Sequence, residues 1–401
     1  MTGSAAYARL AASALIAAMF MGSTLVTPLY AIYAERFGFS KLVLTLIYAV
    51  YVVGNLAALL LFGRVSDAFG RRRTALPAIG VALASTLVFL FTRSTAWLFA
   101  ARALSGLAIG VASAAGTAWL ADVEPEAHRP RAALLATSAN FIGIALGPLV
   151  AGLLAEYAPA PLRLSYVVYL LVIVAVGIVV ASAREPDAER GGRWSLRPRI
   201  GVARPIRKAF VAPAITAFCT FGFIGFYAAL APSLIGERLH RTSHALGGAV
   251  VFELFLVAAL TNFATRRLSS RAAMRAGLAV QLPALGLLVA ADRLASLPLL
   301  LGATAIAGAS AALGYRGSLQ VVNALAPPDR RGETVASYMI ACFVGNSLPV
   351  IGVALLAAAT GSSVTALTVF AATIAALAIA AFLAAHDRRS EDLRSAGRSP
   401  T

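Results

Sequence analysis

The chain has 401 residues, of which 60% are hydrophobic and only 13% charged, with a mean hydropathy of +0.82. That balance excludes an ordinary soluble domain, in which about a quarter of the residues are charged. The formal net charge of +17 does not suggest nucleic-acid binding, because the basic residues gather in the connections on one side of long apolar runs.

Taken in chain order, those runs fall at about 10–32, 41–62, 74–92, 96–120, 132–155, 163–182, 209–235, 244–265, 272–290, 297–321, 333–357 and 363–385. Each approaches the roughly 20 residues that span a hydrocarbon core about 30 Å thick at 1.5 Å per residue. Backbone N–H and C=O groups must be satisfied internally there, so the runs predict helices, and no alternating strand pattern of a membrane barrel is present. The first run continues into Thr27-Pro28-Leu29-Tyr30, which reads as a first span and not as a cleavable signal. With the N-terminus inside, 25 of the 34 Lys and Arg residues fall in inside segments and seven outside. Both termini are therefore expected in the cytoplasm.

Between the second and third runs lies Gly63-Arg64-Val65-Ser66-Asp67-Ala68-Phe69-Gly70-Arg71-Arg72-Arg73. Asp67 is expected to accept backbone N–H bonds near the start of span three, where the helix dipole favours an anion. Arg71, Arg72 and Arg73 can reach acids on neighbouring helix ends, and Asp122 at the end of span four is the obvious partner. Gly63 and Gly70 permit close approach and a tight turn. Span four contains Arg102-Ala103-Leu104-Ser105-Gly106; its arginine either faces the bundle interior or snorkels to the interface. Span five reads Gly143-Ile144-Ala145-Leu146-Gly147-Pro148-Leu149-Val150-Ala151-Gly152, small residues four apart with a proline to bend the helix. Glu253, in span eight, is the one carboxylate deep inside a run. Desolvation favours the neutral form of a carboxylate, so Glu253 could take up and release a proton or meet a cationic substrate; alternatively it pairs structurally with Arg102 or Arg316. Arg316, in Gly314-Tyr315-Arg316-Gly317 of span ten, could bind an anion, neutralise Glu253 or snorkel.

The pattern G-x-x-x-D-x-x-G-R-R-R between two spans resembles the signature loop of the major facilitator superfamily of secondary transporters. Ala68 stands where that family commonly has a basic residue. The resemblance implies twelve transmembrane helices in two six-helix pseudo-symmetric halves, an all-α integral membrane fold. It also implies a cytoplasmic latch made by the loop with Asp122; the alternative is that the arginines only anchor the topology. Arg102 then matches the R-x-x-x-G motif linked to proton coupling. Gly143, Gly147, Pro148 and Gly152 match the antiporter motif G-x-x-x-G-P-x-x-G-G, with Ala151 replacing one glycine, which implies export in exchange for protons. The resemblance puts a substrate cavity among spans one, seven and eleven. There Tyr30, Phe223, Tyr227, Tyr315 and Asn346, with Glu253, are the candidate lining. Aromatics near span ends, Tyr33 first among them, otherwise belong to the interfacial belt. Asn55, Asn140 and Asn262 more often bond between helices.

The arginine-rich segment 183–208, with Pro186, Pro198 and Pro205, reads as a cytoplasmic linker between halves 1–182 and 209–385. It is either an amphipathic surface helix or a positive tether. The tail 386–401 is polar and expected to be disordered. Cys219 and Cys342 lie in separate spans, and the four histidines are scattered with no metal-ligand spacing. No nucleophile–base pair or phosphate-cradling loop suggests an enzyme. The reading is a proton-gradient-driven antiporter of bacterial drug/proton type with no cofactor, acting as a monomer in the cell (inner) membrane. Its expected partners are small molecules, protons and lipid. A metabolite exporter, an uncoupled facilitator and, further off, a non-transporting membrane sensor are the rivals.

Overall fold

The computed structural model describes residues 2–63, 65–125, 129–185, 200–238 and 243–396, and these contain no β-strand. Among the described residues, twelve helical segments are long and apolar enough to cross a membrane. The first is made of α1 (Thr2–Leu25) and α2 (Tyr30–Phe37), joined by a 3-10 turn at Thr27–Leu29. Pro28 has no N–H to donate, which suits a first turn and breaks the ladder behind it. Spans two to six follow as α3 (Lys41–Phe62), α5 (Arg71–Leu90), α6 (Thr95–Val123), α7 (Arg129–Tyr157) and α8 (Pro161–Ser182), with the short α4 (Val65–Phe69) between α3 and α5. The remaining spans are α9 (Arg207–Ala229), α11 (His244–Ala264), α12 (Ser270–Arg293), α13 (Leu297–Leu325), α14 (Arg331–Thr360) and α15 (Ser363–Ala396).

Two boundaries differ from expectation. The apolar run over 209–235 is divided, because α9 stops at Ala229 and a separate α10 occupies Ala231–Arg238. Pro232 cannot donate to the carbonyl four residues earlier, so the ladder is interrupted there. The tail is helical as far as Ala396 instead of disordered from 386. Extending a formed helix costs far less than starting one, and 386–396 contains neither Gly nor Pro. Residues 397–401, and 186–199 of the linker, lie outside the described residues.

Packing divides the chain into two compact units that do not follow sequence order: residues 1–198 with 228–256, and residues 199–227 with 257–401. In the first unit, Gly106 and Gly110 let α6 lie on the backbone of α3. A Cβ added at Gly106 would sit 2.9 Å from Asn55 N, and one at Gly110 2.7 Å from Asn55 O. Leu15, Leu25 and Trp119 fill its interior. The N-terminal part of α11 joins this unit by the same device, since a Cβ at Gly152 of α7 would lie 2.8 Å from His244 O and 3.1 Å from Gly248 Cα. In the second unit Gly277 of α12 meets Gly314 of α13, and Ala217, Val322, Tyr338 and Cys342 form a buried cluster. Without a hydrophobic force between helices in lipid, such close backbone approach is what holds spans together. The most apolar span, α8, is also the least buried, with Leu171 and Ile178 each 65% exposed. That inversion of the soluble-protein pattern follows from hydrocarbon being the solvent.

Candidate functional site

The loop before α5 is built around one glycine. Gly70 has φ +102°, a backbone region that side chains avoid, and it turns the free N–H groups of the next helix toward Glu185. That carboxylate accepts from the N–H of Arg72 at 3.2 Å and of Arg73 at 3.3 Å. Glu185 therefore fills the capping role expected of Asp67. Asp67 instead lies one helical turn before Arg71 and receives its Nη1, an i,i+4 ion pair. Arg71 also donates from Nε to Asp122 at 2.6 Å and from Nη1 to Ser66 Oγ at 2.8 Å. The structure thus joins Arg71 to Asp122, as the sequence suggested. Arg72 turns to α8, donating to the carbonyls of Ala181 and Ala183 at 3.1 and 3.0 Å. Gly63 closes α3, its N–H bonded to Leu59 O. A further set of ion pairs in the first unit was not foreseen: Arg9 Nη1 donates at 2.9 Å to the buried Glu124, with Arg131 Nε 3.9 Å from the same oxygen.

Arg102 does not snorkel. It is 1% exposed, its Nη1 donates to Ser23 O at 2.8 Å, and its guanidinium lies 4.2 Å above the centre of the Tyr51 ring. Aromatic faces and a carbonyl stabilise this cation in place of a carboxylate, and no ion pair of Arg102 occurs among the described residues. Of the two routes the sequence allowed, the rings of Tyr48 and Tyr51 of α3 hold the side chain in the interior one. Tyr33, expected in the interfacial belt, is 1% exposed and stacks on Phe37. In the same unit a small cavity lined by Ser85, Thr86, Ser105, Tyr166 and Tyr169 lies among α1, α5, α6 and α8.

The span-five motif is a packing surface. Gly143 and Gly147 receive the backbone of α1 at Ala17 and Met21, and the Pro148 carbonyl approaches Gly248 of α11. One turn on, Glu156 Oε2 accepts from the N–H of His244 at 2.7 Å. Glu253 lies nine residues along α11 from His244. It is half-buried, and its Oε2 is buried with no hydrogen-bond partner among the described residues.

Among the described residues Arg316 has no acid partner and is engaged chiefly by backbone carbonyls. Nη1 donates to Asn262 O at 2.9 Å and Nη2 to Thr265 O at 2.8 Å. Asn262 accordingly does bond between helices, chiefly through its carbonyl. The aromatic candidates of the second unit are packed inside it: Phe223 meets Tyr227 edge-on, and Phe226 stacks on Phe370 at 5.3 Å. Tyr30, Phe223, Tyr227 and Asn346 are buried and Tyr315 half-buried, so none forms an open wall in this conformation.

A sequence profile described as the Major Facilitator Superfamily matches residues 12–291. The vesicular acetylcholine transporter of Rattus norvegicus is 31% identical over 138 residues, 34% of this chain and 25% of that protein. Multidrug resistance protein 1 of Bacillus subtilis (strain 168) is 26% identical over 211 residues, 52% of this chain and 53% of its own length. The chain thus spans between a quarter and about half the length of these curated relatives. Among solved structures, a bacterial homologue of the human lysosomal transporter Spinster, inward-facing and unoccupied, gives a TM-score of 0.75 at 16% identity, covering 96% of this chain and 98% of that one. The human organic anion transporter MFSD10 gives 0.69 at 18% identity, covering 95% and 99%. At such identities the likeness is one of fold, and it agrees with the twelve apolar helices. With the profile matching most of the chain and the Arg71 loop in place between its spans, this multi-pass membrane protein belongs to the major facilitator superfamily, a family of transporters and not of enzymes.

Proposed function

We propose that this chain exports small amphipathic molecules in exchange for protons, by alternating access between two six-helix halves. Glu253 carries the reading. A carboxylate within a span is costly and is by default a functional group, and its buried Oε2 has no partner among the described residues. A carboxylate in that position suits the role of a proton-exchanging group that loads a proton from outside and releases it inside. Arg102 contributes a positive charge that, among the described residues, has no ion pair. The loop from Gly63 to Arg73 opens and closes the cytoplasmic end through the Arg71–Asp122 contact. The Gly143–Gly152 motif and a relative named as a multidrug resistance protein support export over import. Tyr30, Phe223, Tyr227, Tyr315 and Asn346 serve as cavity lining only in a conformation that unpacks them. The protein works as a monomer in the bacterial inner membrane, both termini cytoplasmic, with the proton gradient in place of a cofactor. A relative named as a vesicular acetylcholine transporter favours a second reading, export of one natural metabolite.

The test is reconstitution into liposomes holding a pH-sensitive dye, with a panel of lipophilic cations added. Substrate-dependent proton movement is expected, and Glu253→Gln should lower it by about a hundredfold, the scale of losing a proton-transfer group. Normal coupling in that variant would overturn the role of Glu253. Proton movement with a single natural compound and no lipophilic cation would favour the metabolite exporter.

A further inference from the structure

The end of α11 is closed by a neighbouring helix. An α-helix leaves its last four carbonyls without intrahelical donors, and they carry partial negative charge. Asn262 O, one of the carbonyls of this last turn, receives Nη1 of Arg316 from α13 at 2.9 Å, and Thr265 O, just past Ala264 and also bonded to the N–H of Leu268, receives Nη2 at 2.8 Å. The same two nitrogens also reach Asn262 Oδ1 at 3.4 Å and Thr265 Oγ1 at 3.0 Å. A rigid, planar fork of donors is the side chain that can hold two such oxygens at once, and a lysine ammonium, a point charge on a flexible stem, is not. The base of the fork is itself fixed. Gly317, next to Arg316, lets α13 lie against α12, where a Cβ on it would come 2.7 Å from Met274 Cα and 2.8 Å from Ser270 O, and Gly314 lets α13 lie against α9, where a Cβ would come 2.5 Å from Thr220 Oγ1.

We propose that Arg316 is a positioning residue: it clamps the C-terminal end of α11 to α13 and thereby fixes the depth and rotation of Glu253, taking no part in charge transfer itself. Glu253 and Asn262 are nine residues apart on one continuous helix, about 13 Å along the axis. A helix held at its end cannot slide or turn, and a slip of one residue would swing Glu253 by about 100°. Burial of an arginine in a span needs a compensating contact, and the two carbonyls supply it. The inference rests on the coupling role of Glu253, so its test separates the two.

Full-length wild type, Arg316→Lys, Arg316→Gln and Glu253→Gln would be reconstituted at matched protein amounts. Three quantities would be read: amide hydrogen exchange over 259–266, proton-coupled flux, and proton-independent substrate counterflow. Both Arg316 variants should speed exchange in that segment and lower coupled flux about tenfold relative to counterflow, because the fork and not the charge is required. Unchanged exchange would overturn the clamp. A lysine variant that couples like wild type beside a failing glutamine variant would make Arg316 a charge partner. Equal loss of flux and counterflow would reduce it to a purely structural residue. Should the glutamine variant not insert, the lysine variant still carries these comparisons. Normal coupling in Glu253→Gln would sink the parent reading alone, leaving the exchange result to judge the clamp.

Discussion

The connection before α5 and the connection before α12 both set several arginines beside a helix end, yet they are built differently. In the first, side chains meet side chains: Arg71 holds Asp67 and Asp122, and Glu185 caps the helix that follows. In the second, Arg266 lies 4.8 Å above the Phe263 ring, and the nearby helix end is held by Arg316 through backbone carbonyls. Both arrangements meet the same need, to satisfy groups left over at helix ends close to lipid. The difference lies in what can exchange. A carboxylate network can trade partners as helices move, whereas a guanidinium across two carbonyls has one target. The mobile-looking chemistry is in the first loop and the fixed chemistry in the second.

The largest effect should come from the residue on which the first loop turns. Gly70→Val places a branched side chain at φ +102° and its Cβ only 2.7 Å from Glu185 Oε1. The strain alone is worth about 1–3 kcal/mol, and displacing the cap adds about 1 kcal/mol. Thermal unfolding in detergent, followed by labelling of the buried thiols of Cys219 and Cys342, would measure it. Next is Arg71→Leu, expected to cost about 2 kcal/mol. Most of that belongs to Asp122, which is 24% exposed; Asp67, 52% exposed, loses a screened pair worth at most about 1 kcal/mol. A cost near zero for Arg71→Leu would erase the distinction between the loops, because the network would then be ornamental.

The first loop was largely legible in the sequence and the second was not, for physical reasons. Asp67, Arg71 and Asp122 announce themselves because carboxylates at span ends are few and stand close to arginines of opposite sign. Glu185 does not: it is 113 residues from Arg72, at the start of a linker whose composition suggests a tether. Arg316 was visible as an expensive charge, but backbone carbonyls carry no sequence signature, so an acid looked like the natural partner. Arg102 was undecidable from depth alone until the rings of Tyr48 and Tyr51 were seen beside it. The twelve spans were legible because hydrocarbon imposes length and composition together. The break between α9 and α10 could have been read from Pro232, and the grouping of 228–256 with the first unit could not, since it depends on Gly248 meeting Gly152.

Smaller effects sharpen the comparison. Glu185→Gln keeps one acceptor oxygen, turns the other into an amide NH2 that cannot accept, and removes the charge at the helix start; it should cost about 1 kcal/mol, less than Arg71→Leu by the same thiol-labelling measurement. In the second loop, Arg267 is exposed and Arg266 has its ring contact. Arg267→Gln should stay within about 0.5 kcal/mol of wild type, and Arg266→Gln should lose about 0.5 kcal/mol of cation–π attraction. The two loops should also differ in salt: raising ionic strength to about 1 M shortens the screening length to about 3 Å. The cost of Arg71→Leu should then shrink, because half-exposed Asp67 is screened, while the cost of Arg266→Gln should hardly move. If the two arginine variants of the second loop instead destabilised the protein as much as Arg71→Leu, and lost that cost in salt, both loops would be carboxylate networks. The contrast between exchangeable and fixed helix ends would then have to be abandoned.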